Sequence, residues 1–66
     1  MGMKVFLPTQ LIYGQTNTPV RCGNRWFIRK IIDNEVIVTD GINIYHPVRD
    51  LHNGLMETKI EEIEGL

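Results

Sequence analysis

Three side chains in this sequence have the chemistry to bind a metal or to attack a substrate: Cys22, His46 and His52. The two histidines lie six residues apart across a proline, a spacing that common zinc sites do not use. Cys22 has no second cysteine with which to share a metal. We therefore expect two surface histidines and a partly buried thiol, and the sequence predicts neither a metal nor a cofactor.

Nucleophilic catalysis would use the same side chains in another arrangement. Arg21 lies next to Cys22, and a neighbouring cation favours the reactive thiolate. A histidine oriented by Asn24 or Asp50 would complete a catalytic set. The sequence does not bring these residues together, and 66 residues leave little room for a substrate pocket. We predict a protein that is not an enzyme.

Cations alternate with aromatic rings in a second candidate set, which consists of Arg25, Phe27, Arg29 and Tyr45. Proteins that bind single-stranded nucleic acids combine cations for the backbone with rings on which bases stack. The isoelectric point near 6.0 opposes this function, because affinity for phosphates comes from neutralised charges. Nucleic-acid binding is therefore the alternative hypothesis, and a packing pair of Phe27 and Tyr45 under the Arg29 stem is the structural interpretation.

The charges divide along the chain. Residues 1–32 have a formal charge of +5 and contain no acid, whereas residues 33–66 have a charge of −6. Such a division is typical of a basic binding surface, of an acidic segment folded over basic strands, or of head-to-tail self-association, unless the two halves interleave. We predict contacts, within or between chains, from glutamates among Glu57, Glu61, Glu62 and Glu64 to Arg25, Arg29 or Lys30.

Length and composition indicate a single domain over residues 1–66, close to the lower limit for folding without a metal, a disulfide or a partner. A hydrophobic content of 42% is too high for disorder. The single cysteine excludes an internal disulfide. Because the sequence shows neither a secretory leader nor a run of about 20 apolar residues, we expect no membrane contact and a cytoplasmic location.

Residues 25–46 predict three short strands joined by two tight turns. Asp40-Gly41 predicts a two-residue turn that places Thr39 opposite Ile42, because Asp and Gly tolerate the positive φ that such turns require. Asp33-Asn34 and Gly23-Asn24 predict turns of the same length.

The flanking segments predict further short elements. Residues 4–7 form a first strand that stops at Pro8, and residues 11–13 are a short apolar run before a polar loop. Pro47 ends the third central strand, and residues 48–51 form a 3₁₀ turn. Residues 56–60 alternate like a strand, followed by a turn or a short helix.

Two-residue turns would divide the side chains between two faces of the sheet. What we call the isoleucine face contains Arg21, Trp26, Ile28, Lys30, Ile32, Ile37, Thr39, Ile42, Ile44 and His46. What we call the mixed face contains Val20, Cys22, Arg25, Phe27, Arg29, Ile31, Val36, Val38, Asp40, Asn43 and Tyr45. We expect the isoleucine face to form the core. The mixed face is still apolar enough to need cover, from the ends of the chain or from a second subunit.

These elements predict an all-β fold, a five- to six-stranded antiparallel barrel or curved sheet that ends in a strand or a short helical turn. The order of elements resembles an SH3-like barrel in architecture. The predicted function is a non-enzymatic interaction or assembly module that self-associates or binds a protein partner. Its candidate interaction face consists of Val20, Arg25, Phe27, Arg29, Ile31, Val36, Val38 and Tyr45.

Overall fold

Six strands and one short helix account for most of residues 3–62, the part of the chain that the computed structural model describes. They are β1 (Lys4–Pro8), α1 (Thr9–Tyr13), β2 (Pro19–Cys22), β3 (Arg25–Ile32), β4 (Glu35–Thr39), β5 (Asn43–Asp50) and β6 (Leu55–Glu62). Within these residues, no helix has the length and apolar character needed to cross a membrane.

All six strands belong to one antiparallel sheet with the order β1-β6-β5-β4-β3-β2. Strands β2 to β6 follow one another as a meander, and β1 lies beyond β6 at the opposite edge from β2. The sheet curls into a half-barrel, because six twisted strands cannot stay flat. The predicted small all-β curved sheet is confirmed.

Two of the three predicted turns have the predicted length. Ile32 lies opposite Glu35, and both residues between them, Asp33 and Asn34, have positive φ angles of 52° and 66°. That geometry is a type I′ turn, in which a short polar side chain replaces glycine. The turn after β2 is also two residues long, and Gly23 supplies its one positive φ, 64°.

The third predicted turn is wrong by two residues. Thr39 lies opposite Ile44 rather than Ile42, so the loop spans residues 40–43. Asp40 builds this loop, because its Oδ1 accepts hydrogen bonds from the backbone N–H groups of Ile42 (3.0 Å) and Asn43 (2.9 Å). A shift of two residues leaves the paired side chains on their predicted faces of the sheet.

Strand β5 continues through Pro47, which contradicts the predicted strand end and the predicted 3₁₀ turn after it. Pro47 lies opposite Thr58 and Arg49 lies opposite Glu57, so Val48 is an extra residue that forms a β-bulge. The predicted strand at residues 56–60 is confirmed as part of β6, and the turn or helix predicted after it lies outside the described residues.

The core lies on the mixed face, so the prediction that the isoleucine face is the core is wrong. Its buried residues are Leu7, Leu11, Ile12, Phe27, Val38, Tyr45 and Met56. The rings of Phe27 and Tyr45 pack with centroids 5.9 Å apart and planes inclined by 58°. Three of these seven residues come from the mixed face, and the rest come from β1, α1 and β6.

Helix α1 covers the concave side of the sheet and explains the choice of face. Leu11 and Ile12 are buried, and the helix contacts β1, β3, β4 and β6. Its first residue is fixed by a hydrogen bond from the Thr9 N–H to the Gly54 carbonyl at 3.0 Å. It ends at Gly14, where a Cβ would lie 2.6 Å from the Gln10 carbonyl oxygen, so a larger residue would clash.

Candidate interaction surface

The apolar centre of the candidate interaction face lies inside the chain, whereas Ile31 and Arg25 at its margin are exposed. Phe27, Val38 and Tyr45 are buried in the core, and Val20 and Val36 pack against it. The cover that the sequence assigned to chain termini or to a second subunit comes from α1 and from β1 and β6. A partner could reach Phe27, Val38 or Tyr45 only after the core had opened.

Arg29 joins the sheet to the helix. Its guanidinium Nε donates a hydrogen bond of 2.6 Å to the Ile12 carbonyl, and its Nη1 donates to the Thr16 hydroxyl. The Arg29 carbonyl accepts a hydrogen bond from the Asn17 N–H at 2.8 Å. Arg29 therefore holds the segment that covers the core, and its guanidinium is engaged within the chain.

This contact predicts the effect of removing the guanidinium. We expect Arg29→Ala to lower the free energy of unfolding by about 1–3 kcal/mol, because the Ile12 carbonyl loses a charged donor. Urea denaturation followed by circular dichroism measures the change. Arg21→Ala is the matched control, since Arg21 is exposed and donates only to the nearby Gly23 carbonyl. Equal effects of the two substitutions would contradict this role of Arg29.

Asp40 is the second polar residue on the core side of the sheet whose side chain is hydrogen-bonded within the chain. Its Oδ2 accepts hydrogen bonds from the Tyr45 hydroxyl (3.0 Å) and from Arg25 Nη1 (2.9 Å). The side chain is only 2% exposed. Burial by itself would raise the pKa of Asp40, but hydrogen bonds from the Asn43 and Ile42 N–H groups, Tyr45 and Arg25 outweigh it and lower the pKa. Arg25 is thereby paired inside the chain.

These contacts also show where the four candidate nucleic-acid-binding residues lie. Phe27 and Tyr45 have no face free for base stacking, and the guanidiniums of Arg25 and Arg29 are engaged by Asp40, Ile12 and Thr16. The interpretation of Phe27 and Tyr45 as a packing pair is confirmed.

The isoleucine face is the convex side of the half-barrel, and it is exposed. Trp26, Ile32 and Ile42 are 59%, 51% and 61% exposed, and Ile28 and Ile44 are half-buried. Ile37 lies at the centre of β4 and is buried beneath its neighbours. The register explains this grouping, because Thr39 pairs with Ile28 on one side and with Ile44 on the other.

Charged residues cover the convex side of the neighbouring strands, β5, β6 and β1. Glu57 bridges Lys4 (3.9 Å) and Arg49 (3.2 Å), and Glu61 is hydrogen-bonded to His46 at 2.7 Å. The predicted contacts from Glu57 and Glu61 to the basic strand β3 do not occur within the chain. The predicted contacts of the Glu62 and Glu64 side chains lie outside the described residues.

The candidate metal and nucleophile residues do not form one site. Cys22 belongs to β2 and His46 to β5, so two strands lie between them, and they belong to opposite faces of the sheet. His52 lies in the loop before β6, 3.9 Å from Asp50. In the part of the chain that the structure describes, no three His, Cys, Asp or Glu side chains group in a way that could hold a metal ion.

Compared with known proteins, the chain matches no protein-family model, no curated protein and no solved structure. Within the structure, the candidate interaction surface is the isoleucine face, because its large apolar side chains are exposed. Sequence reasoning found its members and their shared orientation, but assigned them to the interior. The signal that pointed the other way was the apolar run at Leu11 and Ile12, which needs an apolar surface beneath it.

Proposed function

We propose that this protein is a non-enzymatic interaction and assembly module that self-associates through its isoleucine face. The observation that carries the proposal is the exposure of Trp26, Ile32 and Ile42 on the convex side of a sheet whose core lies on the other side. Exposed apolar side chains on one face are typical of protein interfaces, and tryptophan is enriched among the residues that dominate binding energy.

The energy available on this face is large enough for association. Covering about 400 Å² of apolar surface contributes on the order of 10 kcal/mol, at about 25 cal/mol per Å², before the costs of association are subtracted. The strands are already formed in the single chain, so binding does not have to create them. Two convex sheet faces would touch along their central strands, where sheets pack about 10 Å apart.

The charges that flank the face favour a second copy of the chain as the occupant. Arg21 lies opposite Trp26 at the β2 side of the face, and Glu61 lies opposite Ile44 at the β6 side. A two-fold axis parallel to β4 would place the β2 edge of each copy, with Arg21, on the same side as the β6 edge of the other, with Glu61. Because both edges curve away from the line of contact between two convex faces, these charges act at a distance and favour this orientation of the two copies.

A charge in place of the largest exposed side chain of this face should weaken self-association without unfolding the chain. We expect Trp26→Glu to weaken dimerisation by about 30-fold or more, because it places a charge in an apolar contact. Sedimentation equilibrium at several concentrations measures the mass.

Phe6→Lys is the matched control. It also replaces an exposed aromatic residue by a charge on the convex side, opposite Glu57 just as Trp26 is opposite Arg21. The control should dimerise like the wild type. A wild type that stays monomeric throughout, or a Trp26→Glu variant that dimerises equally well, would contradict the proposal.

The arrangement of the two copies has its own test. Arg21→Glu and Glu61→Lys should each weaken the dimer, because each places like charges opposite one another across the interface. The double variant restores opposite charges and should recover most of the affinity. Additive losses in the double variant would exclude the parallel two-fold axis and leave another packing of the same face.

Two finer expectations belong to the same proposal. We propose that the half-barrel is SH3-like. The meander of β2 to β6, whose last strand lies beside β1, supports this proposal. We also propose a cytoplasmic location. Cys22, a free and half-buried thiol, supports it because reducing compartments keep such cysteines unpaired.

A further inference from the structure

Strands β4 and β5 separate soon after the loop that joins them. They pair only at Val38 with Tyr45 and at Thr39 with Ile44. Beyond these pairs, β4 is paired only with β3 and β5 only with β6. The edge of residues 35–37 and the edge of residues 46–50 therefore face each other without pairing. The sheet therefore contains a wedge-shaped cleft with an accessible volume of about 560 Å³. That volume is in the range of ligand sites in proteins.

The cleft has an apolar floor and an acidic rim. Ile12, Val36 and Met56 form the floor, and the exposed Glu35 lies on the β4 rim. On the β5 rim, the Tyr13 hydroxyl donates a hydrogen bond of 2.9 Å to Asp50 Oδ2. Hydrogen bonds from the His52 N–H and then from Tyr13 lower the pKa of Asp50, so this carboxyl is an anion at neutral pH.

The two basic side chains at the cleft already have partners. His46 is hydrogen-bonded to Glu61, and Arg49 forms an ion pair with Glu57, both on β6. Among the described residues, Glu35 has no basic partner, and Asp50 has only the exposed imidazole of His52, 3.9 Å from its Oδ1. An occupant that carries cations would complement them, and a polyanion such as nucleic acid would be repelled.

We propose that this cleft binds an extended peptide segment of a partner protein, with basic side chains next to apolar ones. The unpaired backbone of the two strands supplies hydrogen bonds to an added strand, as in other proteins that extend a sheet with a peptide. Residues 46–50 span about 16 Å at 3.3 Å per residue, which accommodates about five residues of the peptide. Alternate side chains would enter the apolar floor and meet Glu35 and Asp50. This site goes beyond the self-association proposed above and uses a different part of the sheet.

A selection from displayed random heptapeptides tests the proposal. We expect enrichment of sequences that combine lysine or arginine with apolar residues. The most enriched peptide is then synthesised and titrated into the ¹⁵N-labelled protein. The amide signals of residues 35–37, 46 and 48–50 should shift, and those of Trp26 and Ile42 should not. Shifts confined to the isoleucine face or spread over the surface would overturn the proposal, as would a selection without enrichment.

Two variants with the same change of net charge distinguish binding in the cleft from nonspecific attraction of a basic peptide to an acidic protein. Glu35→Lys should weaken binding of the selected peptide by about threefold to tenfold, since it reverses the charge on the rim. A Gln15→Lys, Thr18→Lys double variant changes the net charge by the same two units at exposed positions outside the cleft and should leave the affinity unchanged. Equal losses in both variants would show nonspecific electrostatic binding and contradict the proposed site. Loss of self-association in Trp26→Glu would not affect either result.

Discussion

The Val38→Glu variant should be unfolded. Val38 is 0% exposed, it lies at the centre of the sheet on β4, and its neighbours across the strands are Arg29 and Tyr45. A buried carboxylate at this position costs several kcal/mol, because Ile12 and Thr16 already hold the guanidinium of the neighbouring Arg29, whereas a domain of this size has a total stability of about 3–10 kcal/mol. Circular dichroism and urea denaturation measure the loss of the folded state.

Trp26→Glu makes the same kind of change on the other face and is the control for this prediction. It should retain the wild-type circular dichroism spectrum and most of the stability, because Trp26 is mainly in contact with water. The opposite outcome, a folded Val38→Glu and an unfolded Trp26→Glu, would mean that the isoleucine face is the core after all.

Asp40→Ala should cause the second-largest loss of stability, about 2–4 kcal/mol. The substitution leaves the buried Tyr45 hydroxyl, the Arg25 guanidinium and two loop N–H groups without their acceptor. Asp40→Asn is the matched control. It keeps an oxygen for the loop N–H groups, but its NH₂ group cannot accept the hydrogen bonds from Tyr45 and Arg25, so its stability should lie between those of Asp40→Ala and the wild type.

The Asp40 effect should also depend on pH. Because the folded-state pKa of Asp40 is lowered, its contribution is present above the pKa of an unfolded aspartate and disappears as the pH falls through the folded value. The difference in unfolding free energy between wild type and Asp40→Ala should therefore shrink below about pH 4. Urea denaturation at several pH values measures it. A difference that stays constant down to acidic pH would show that the charge contributes nothing.

The turns and strands of the meander could be predicted from the sequence because local chemistry decides them. Asp33-Asn34 and Gly23-Asn24 have the residues that two-residue turns require, and both turns form. At Asp40-Gly41 the same signal competes with a side chain. Asp40 binds the N–H groups of Ile42 and Asn43 and lengthens the loop, and this competition is not visible in residue types alone.

The side of the core could not be predicted by comparing the two faces. The isoleucine face has more apolar residues, but a curled sheet buries its concave side, which also receives the cover. That cover is α1, only five residues long, whose position depends on contacts with Arg29 and Gly54 that are distant in sequence. The charges that interrupt the mixed face also misled the prediction, because Arg25 and Asp40 neutralise each other within the chain.

The path of β5 depended on long-range pairing as well. Pro47 normally marks the end of a strand, since it lacks a backbone donor. Here Pro47 and the bulged Val48 lie in a strand that β6 keeps paired on one side, while the other side faces the cleft. The cleft beside β5 could therefore not be predicted from the sequence, because it depends on which strands pair with β5.

Trp26 is the only tryptophan in the chain, so its fluorescence reports directly on the isoleucine face. The decisive measurement is its emission maximum and its quenching by acrylamide, from micromolar to millimolar protein. Self-association through this face predicts a shift of the emission to shorter wavelength and weaker quenching as the protein concentration rises. The Ile42→Glu variant, which keeps Trp26, should show neither change. An emission maximum and a quenching constant that stay those of an exposed indole at every concentration would contradict the account.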